Sequence, residues 1–146
     1  EEIDEVPVGC VIVCDGEVIS RGHNLKEQLN QAYAHAEMMT IQKAAEVKGN
    51  WCLNDCDLYV TLEPCMMCTG IINLSRIRTV YYGTTDPKGG CLETVIDLKK
   101  INRLNHYPNI VGNILQKECS EILTNYFRKK RETTKEKKQK NKANIQ

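Results

Sequence analysis

The sequence predicts a layered α/β domain. Short β-branched apolar runs alternate with segments of helical period, and turn residues fall between them. A chain of 146 residues is long enough for one hydrophobic core and short for two.

The elements follow in order. Val8 to Cys14 is apolar and β-branched, Asp15-Gly16 is a type I′ turn signal, and Glu17 to Gly22 returns as the second strand of a hairpin. A polar loop spans Asn24 to Tyr33. Helical period resumes at His35, with Met38, Ile41 and Ala45 on one face and Gly49 as the stop. Asp57 to Leu62 is a short buried strand. Pro64 suits the first turn of a helix through Ser75, where no N–H is needed. Arg78 to Gly83 is another strand, in which Tyr81 and Tyr82 face opposite ways and one belongs to the core. A loop at 84–90, a short helix at 92–100, a last strand at 109–114 and a final helix from Gln116 complete the domain. The expected boundaries are a domain at 1–132 and a basic tail at 133–146 that frays into disorder.

The net charge of +1 hides a division. Residues 128–146 carry nine Lys/Arg and two Glu, whereas residues 1–127 carry eleven Lys/Arg against seventeen Asp/Glu. Such a tail is either a solvated helix end or a surface for a polyanion. No apolar run approaches the ~20 residues of a membrane span, and the acidic start has no secretory h-region. Eight cysteines therefore read as a metal site plus small buried apolar residues, rather than a disulfide framework.

Two stretches carry the chemistry. In "TLEPCMMC", Cys65 and Cys68 lie one turn apart at a helix N-terminus, where the dipole favours thiolate. Cys52 and Cys56 could complete an all-thiolate structural zinc site. Alternatively, His35 of "AHAE" could be the third ligand, provided two helix N-termini meet. The fourth position would then be left for water, as in catalytic zinc sites. Two thiolates largely cancel the dication's charge, so a carboxylate that takes the water's proton is useful, and Glu37 is placed for it. The pairing of H-x-E with P-C-x-x-C favours the catalytic arrangement.

At these residues the chain resembles the zinc-dependent nucleobase deaminases, whose signature is H-x-E…P-C-x-x-C. Within them it is most similar to the tRNA-specific adenosine deaminases. The blocks "EVPVG", "GHN", "AHAE", "LYVTLEPCMMC", "SRI", "YYG", "DPKGG", "LNH" and "YFR" follow that family's order and spacing over nearly the whole chain. The resemblance implies a three-layer α/β/α cytidine deaminase-like fold with a mixed five-stranded sheet, a cytoplasmic homodimer, and hydrolysis of adenosine to inosine at the wobble position of tRNA. By that resemblance one Zn2+ per subunit is held by His35, Cys65 and Cys68, with Glu37 as proton shuttle. Asn24 would contact the flipped nucleotide and Asn105 its base or ribose. Asp86 and Lys88 would meet flanking nucleotides, and Phe127 and Arg128 would approach the anticodon arm. The family points to an arginine tRNA with anticodon ACG, and no membrane partner. Each contact has a plainer role available: Asn24 or Asn105 as a loop or cap residue, Asp86 as a turn former, Lys88 as a solvated cation, Phe127 as core.

Two departures stand out. The family usually carries an amphipathic helix before "EVPVG", where only five residues precede Val6 here; a chain starting at this point would leave one sheet face uncovered, and a truncated or disordered N-terminal segment is the alternative. "GGCLETVIDL" also differs from the family's smaller, Ser-containing loop. Two other functions share parts of the pattern. A deaminase of free guanine, cytosine or a nucleoside needs no basic tail, and a silent RNA-binding subunit would have no use for an intact Glu37.

Overall fold

The predicted hairpin forms from β1 (Gly9–Cys14) and β2 (Glu17–His23). It closes at Asp15 and Gly16, whose φ values of 51° and 77° are the positive pair a type I′ turn requires. The computed structural model describes residues 4–145. Three further strands follow, β3 (Cys56–Leu62), β4 (Thr79–Thr84) and β5 (Asn109–Val111), giving a mixed five-stranded sheet ordered β2-β1-β3-β4-β5. β1 is antiparallel to both β2 and β3, while β4 is parallel to β3 and β5. The parallel pairs need crossovers, which the intervening helical and turn segments supply.

One sheet face is the core. Cys10, Ile12 and Cys14 of β1, Leu58 and Val60 of β3, and Val80 and Tyr82 of β4 are buried there. The polar loop after β2 contains a one-turn helix, α1 (Lys26–Leu29). α2 (Ala36–Lys48) covers the β1–β2 end of the core face, and α3 (Met66–Leu74) adds Ile72 to the same core. Gly49, at φ 62°, ends α2 in the left-handed cap the sequence signals. On the opposite face α4 (Gln116–Ala143) approaches β4 at Gly83. A Cβ at Gly83 would stand 2.4 Å from Cys119 Sγ, so only glycine permits this contact. The rest of that face is less covered: Tyr59 and Tyr81 stack at 4.5 Å, and Tyr59 is 37% exposed. Tyr82 is the core member of the tyrosine pair and donates to Glu93 at 2.9 Å.

Four local expectations change. The polar loop is partly helical, and within α1 the Gln28 N–H is held by Glu5 Oε1 at 2.7 Å. The helix expected at 92–100 is a series of turns ending in a 3-10 turn at Leu98–Lys100. There the N–H groups of Leu92, Glu93 and Thr94 all bond the Glu63 carboxylate, and Asp97 opens the 3-10 turn by accepting from Lys99 N–H. The last strand is only Asn109–Val111. Finally, the segment expected to fray is helical through Ala143. It holds no Gly or Pro, is rich in Lys, and spaces Glu136 four residues before Lys140, all of which favour a solvated helix. Among the described residues no helix is long and apolar enough to cross a membrane.

Candidate active site

α2 and α3 bring their N-termini together at the C-terminal end of β3. His35 is the N-cap of α2 (ψ 156°) and Cys65 the N-cap of α3 (ψ 179°), and neither side chain caps its own helix. Extended backbone at both positions turns imidazole and thiol past the helix tips. Pro64 therefore precedes the cap instead of occupying the first turn. Asn24 supplies what His35 does not: its Oδ1 accepts the Ala36 N–H at 2.8 Å, satisfying an otherwise free donor at the helix start.

The result is a cluster. His35 Nδ1 lies 3.6 Å from both Cys65 Sγ and Cys68 Sγ, and the three potential ligand atoms all fall within 4.8 Å of one another. One nitrogen and two sulfurs at this separation match the donor set and size of a tetrahedral zinc site with three protein ligands. Glu37, only 4% exposed, stands beside it with Oε2 3.5 Å from Cys68 Sγ. Cys52 and Cys56 join no such arrangement with Cys65; Cys56 lies at the far end of β3 and groups with Cys14 and Asp55. The all-thiolate alternative is thereby excluded.

Electrostatics among the protein groups fit a cation site. The hydrogen bond from Cys68, helped by His35, lowers the Cys65 thiol to about 4, and the same contact with burial pushes Cys68 up. The hydrogen bond to Cys65 raises His35, and burial raises Glu37 above the usual carboxylate range. Two helix N-termini add positive dipole ends at the point where thiolate is needed.

The cluster opens on a cavity of about 200 Å³ lined by Asn24, His35, Glu37, Cys65, Asp86 and Tyr126, among others. Ligand pockets usually run ~300–1,000 Å³, so this one suits a single heterocycle. It shares Val6, Leu62 and Asp86 with a larger groove of about 710 Å³ along α4, which Pro87, Lys88, Phe127 and Arg131 also line. Asp86 serves a turn as well, since its Oδ1 accepts from Lys88 and Gly89 N–H at 3.0 and 3.1 Å. Phe127 is 43% exposed on the groove and meets Tyr126 edge-on at 5.3 Å, so it is not core. Arg128 is exposed on α4 but lines neither space; Arg131, one turn on from Phe127, is the groove's arginine. Asn105, exposed on the loop before β5, lines neither space.

Glu63 has a place in the site that its sequence context does not announce. Its carboxylate is 2% exposed and accepts from the N–H groups of Asp86, Leu92, Glu93 and Thr94 and from the Thr94 hydroxyl. It ties the 86–94 loop to the strand end that delivers Cys65. The one signal in the sequence is an acid at the end of an apolar strand, just before Pro-Cys.

A mixed sheet with His and two Cys gathered across paired helix N-termini defines a zinc-dependent deaminase scaffold. Residues 1–84 match the cytidine and deoxycytidylate deaminase zinc-binding region, and the chain belongs to that family. The chain is 46% identical over 135 residues to the tRNA-specific adenosine deaminase of Bacillus subtilis (strain 168), covering 92% of this chain and 84% of that protein. A solved structure from a study of A-to-I editing by tRNA:A34 deaminases at the wobble position of transfer RNA superimposes with a TM-score of 0.81. It is 45% identical, over 84% of this chain and 88% of that one. The guanine deaminase structure from Bacillus subtilis is 44% identical but covers 53% of this chain and 50% of that one, with a TM-score of 0.53.

Proposed function

We propose that this chain is a cytoplasmic zinc hydrolase that converts adenosine to inosine at the wobble position of tRNA. The observation that carries the reading is the one-base cavity opening into a longer groove beside a basic helix. A free-base enzyme needs only the cavity. His35, Cys65 and Cys68 hold the zinc, which when bound makes a water molecule a competent nucleophile. Asn24 fixes the His35–Glu37 corner and borders the base. Glu37 accepts a proton, delivers it to N1 of the flipped adenine, and assists departure of ammonia from C6. Asp86, Lys88 and Phe127 line the groove that the neighbouring nucleotides would follow, and Arg128, exposed on α4, would approach the anticodon arm. An arginine tRNA with anticodon ACG is the proposed substrate.

A homodimer belongs to the same proposal. Met66 (67% exposed), Leu74 (64%) and Ile101 (40%) surround an apolar groove along α3 that a second copy would cover.

The deciding assay incubates the zinc-loaded protein with an ACG anticodon stem-loop and, in parallel, with free guanine, cytosine and cytidine. Inosine in the stem-loop alone supports the reading; ammonia from guanine alone replaces it with the free-base enzyme. Two further outcomes are expected. Cys65→Ala or Cys68→Ala protein will purify without zinc at this site and without activity, as metal analysis and the stem-loop assay will show. Deleting residues 134–146, which removes five lysines, will weaken stem-loop binding and flatten its salt dependence. The log–log slope should fall by ~0.7–0.9 for each phosphate the shortened helix no longer neutralises. An unchanged slope would separate that end of α4 from RNA binding.

A further inference from the structure

At the other end of β3 a second cluster is built from parts the deaminase reading does not use. Cys14 and Cys56 are the terminal cross-strand partners of β1 and β3, so their side chains share one face. Asp55 precedes Cys56 and lies between the two thiols, its Oδ2 3.3 Å from Cys14 Sγ and its Oδ1 3.4 Å from Cys56 Sγ. The three potential ligand atoms lie within 4.8 Å of one another, as they do in the His35 cluster. A cation already stands here: Lys48 Nζ is 3.5 Å from Cys14 Sγ and ion-paired to Asp55. Lys48 is in the last turn of α2, where the negative dipole end adds to the attraction. Both cysteines are buried, but the Lys48 and Asp55 side chains are 24% and 43% exposed, so the cluster has an entrance.

We propose that Cys14, Asp55 and Cys56 form a second site for a thiophilic divalent cation of the zinc type, entered by displacing the Lys48 ammonium. Two sulfurs and one carboxylate oxygen suit zinc or cadmium; calcium and magnesium demand several oxygens. Two thiol protons pass to solvent as the two sulfur–metal bonds form. The six-residue advance from Cys56 to Leu62 spans roughly 20 Å, which separates this site from the His35 cluster. The bound ion clamps the hairpin end to the start of β3 in place of the Lys48 tie from α2, so its effect is on stability and not on the reaction.

The test counts Zn2+ on reduced full-length protein after chelation and stepwise reloading. Wild type should take up two ions per chain, and Cys14→Ser/Cys56→Ser one. The readout is the difference of one ion, which persists even if the His35 cluster proves not to be catalytic. Because the double variant could misfold, Lys48→Met provides an independent arm. Removing the competing charge should tighten the second Zn2+ by about tenfold or more, and Asp55→Asn should weaken it by a similar factor. Cd2+ added to the zinc-loaded protein should produce a sulfur-to-metal charge-transfer band that the double variant lacks. A wild type that stops at one ion, with Lys48→Met unchanged, would overturn the site.

Discussion

Glu37→Ala protein is expected to keep its zinc at the His35 cluster and lose deamination by at least ~10²–10⁴-fold, the range for removing a positioned acid–base group. Glu37 is buried beside the cluster and lines the cavity, and its neighbours His35 and Cys68 would be occupied as ligands in the proposed zinc site. The other buried carboxylates lining the cavity are committed elsewhere, Glu5 to the Gln28 N–H and Glu63 to the 86–94 loop, which leaves Glu37 to carry a proton from the water to the ring and on to the leaving amine. Glu37→Gln is the sharper companion. It preserves size and can still hydrogen-bond, but it cannot accept a proton, so it should be as inactive as Glu37→Ala while melting closer to wild type. Metal content separates loss of chemistry from loss of the site. Stem-loop binding should persist in both variants, because Glu37 lies inside the base cavity and away from the α4 groove. Glu37→Gln retaining more than a tenth of the wild-type rate would remove Glu37 from the proton path.

The residues that carry this expectation were legible because their constraints are local. A proline before a C-x-x-C marks a helix start, and H-x-E after a loop marks another, so the pairing of the two motifs pointed to a meeting of N-termini around one metal. The hairpin was equally legible, since Asp15-Gly16 dictates its own turn. What escaped depends on distant partners. The 92–100 segment has helical propensity, yet its first N–H groups bind Glu63, some thirty residues upstream. Asn24 reads as a base contact, whereas part of its bonding capacity caps α2. The Cys14–Asp55–Cys56 cluster exists only because β1 and β3 pair in one register; in sequence these cysteines are two isolated apolar residues.

Glu63 is where such a long-range constraint should have the largest measurable effect on stability. Its carboxylate receives four backbone N–H groups and one hydroxyl while 2% exposed. Three of those N–H groups, from Leu92, Glu93 and Thr94, converge on Oε2 alone at 3.0–3.2 Å. Glu63→Ala strands all of them, at about 1–3 kcal/mol for each buried donor left unpaired, and the loop can recover only part by opening to water. A loss of about 3–5 kcal/mol is expected, comparable with breaking a buried charge pair and a large share of a domain's ~5–15 kcal/mol. Glu63→Gln should fall only partly short of this, because whichever way the amide is turned, its NH2 faces donors. Gly90 leaves no room to adjust, since a Cβ there would stand 2.4 Å from Glu63 Cδ. The consequence reaches the site through two links: Cys91 N–H donates to Pro64 O at 2.9 Å, and Asp86 N–H to Glu63 Oε1 at 3.4 Å. Glu63→Gln should therefore melt lower, exchange the amides of residues 92–94 faster, and raise KM for the stem-loop more than it lowers kcat, because it loosens Asp86 and Lys88 while leaving Glu37 in place. Unchanged exchange at those amides, with stability within about 0.5 kcal/mol of wild type, would show that the loop does not depend on this carboxylate.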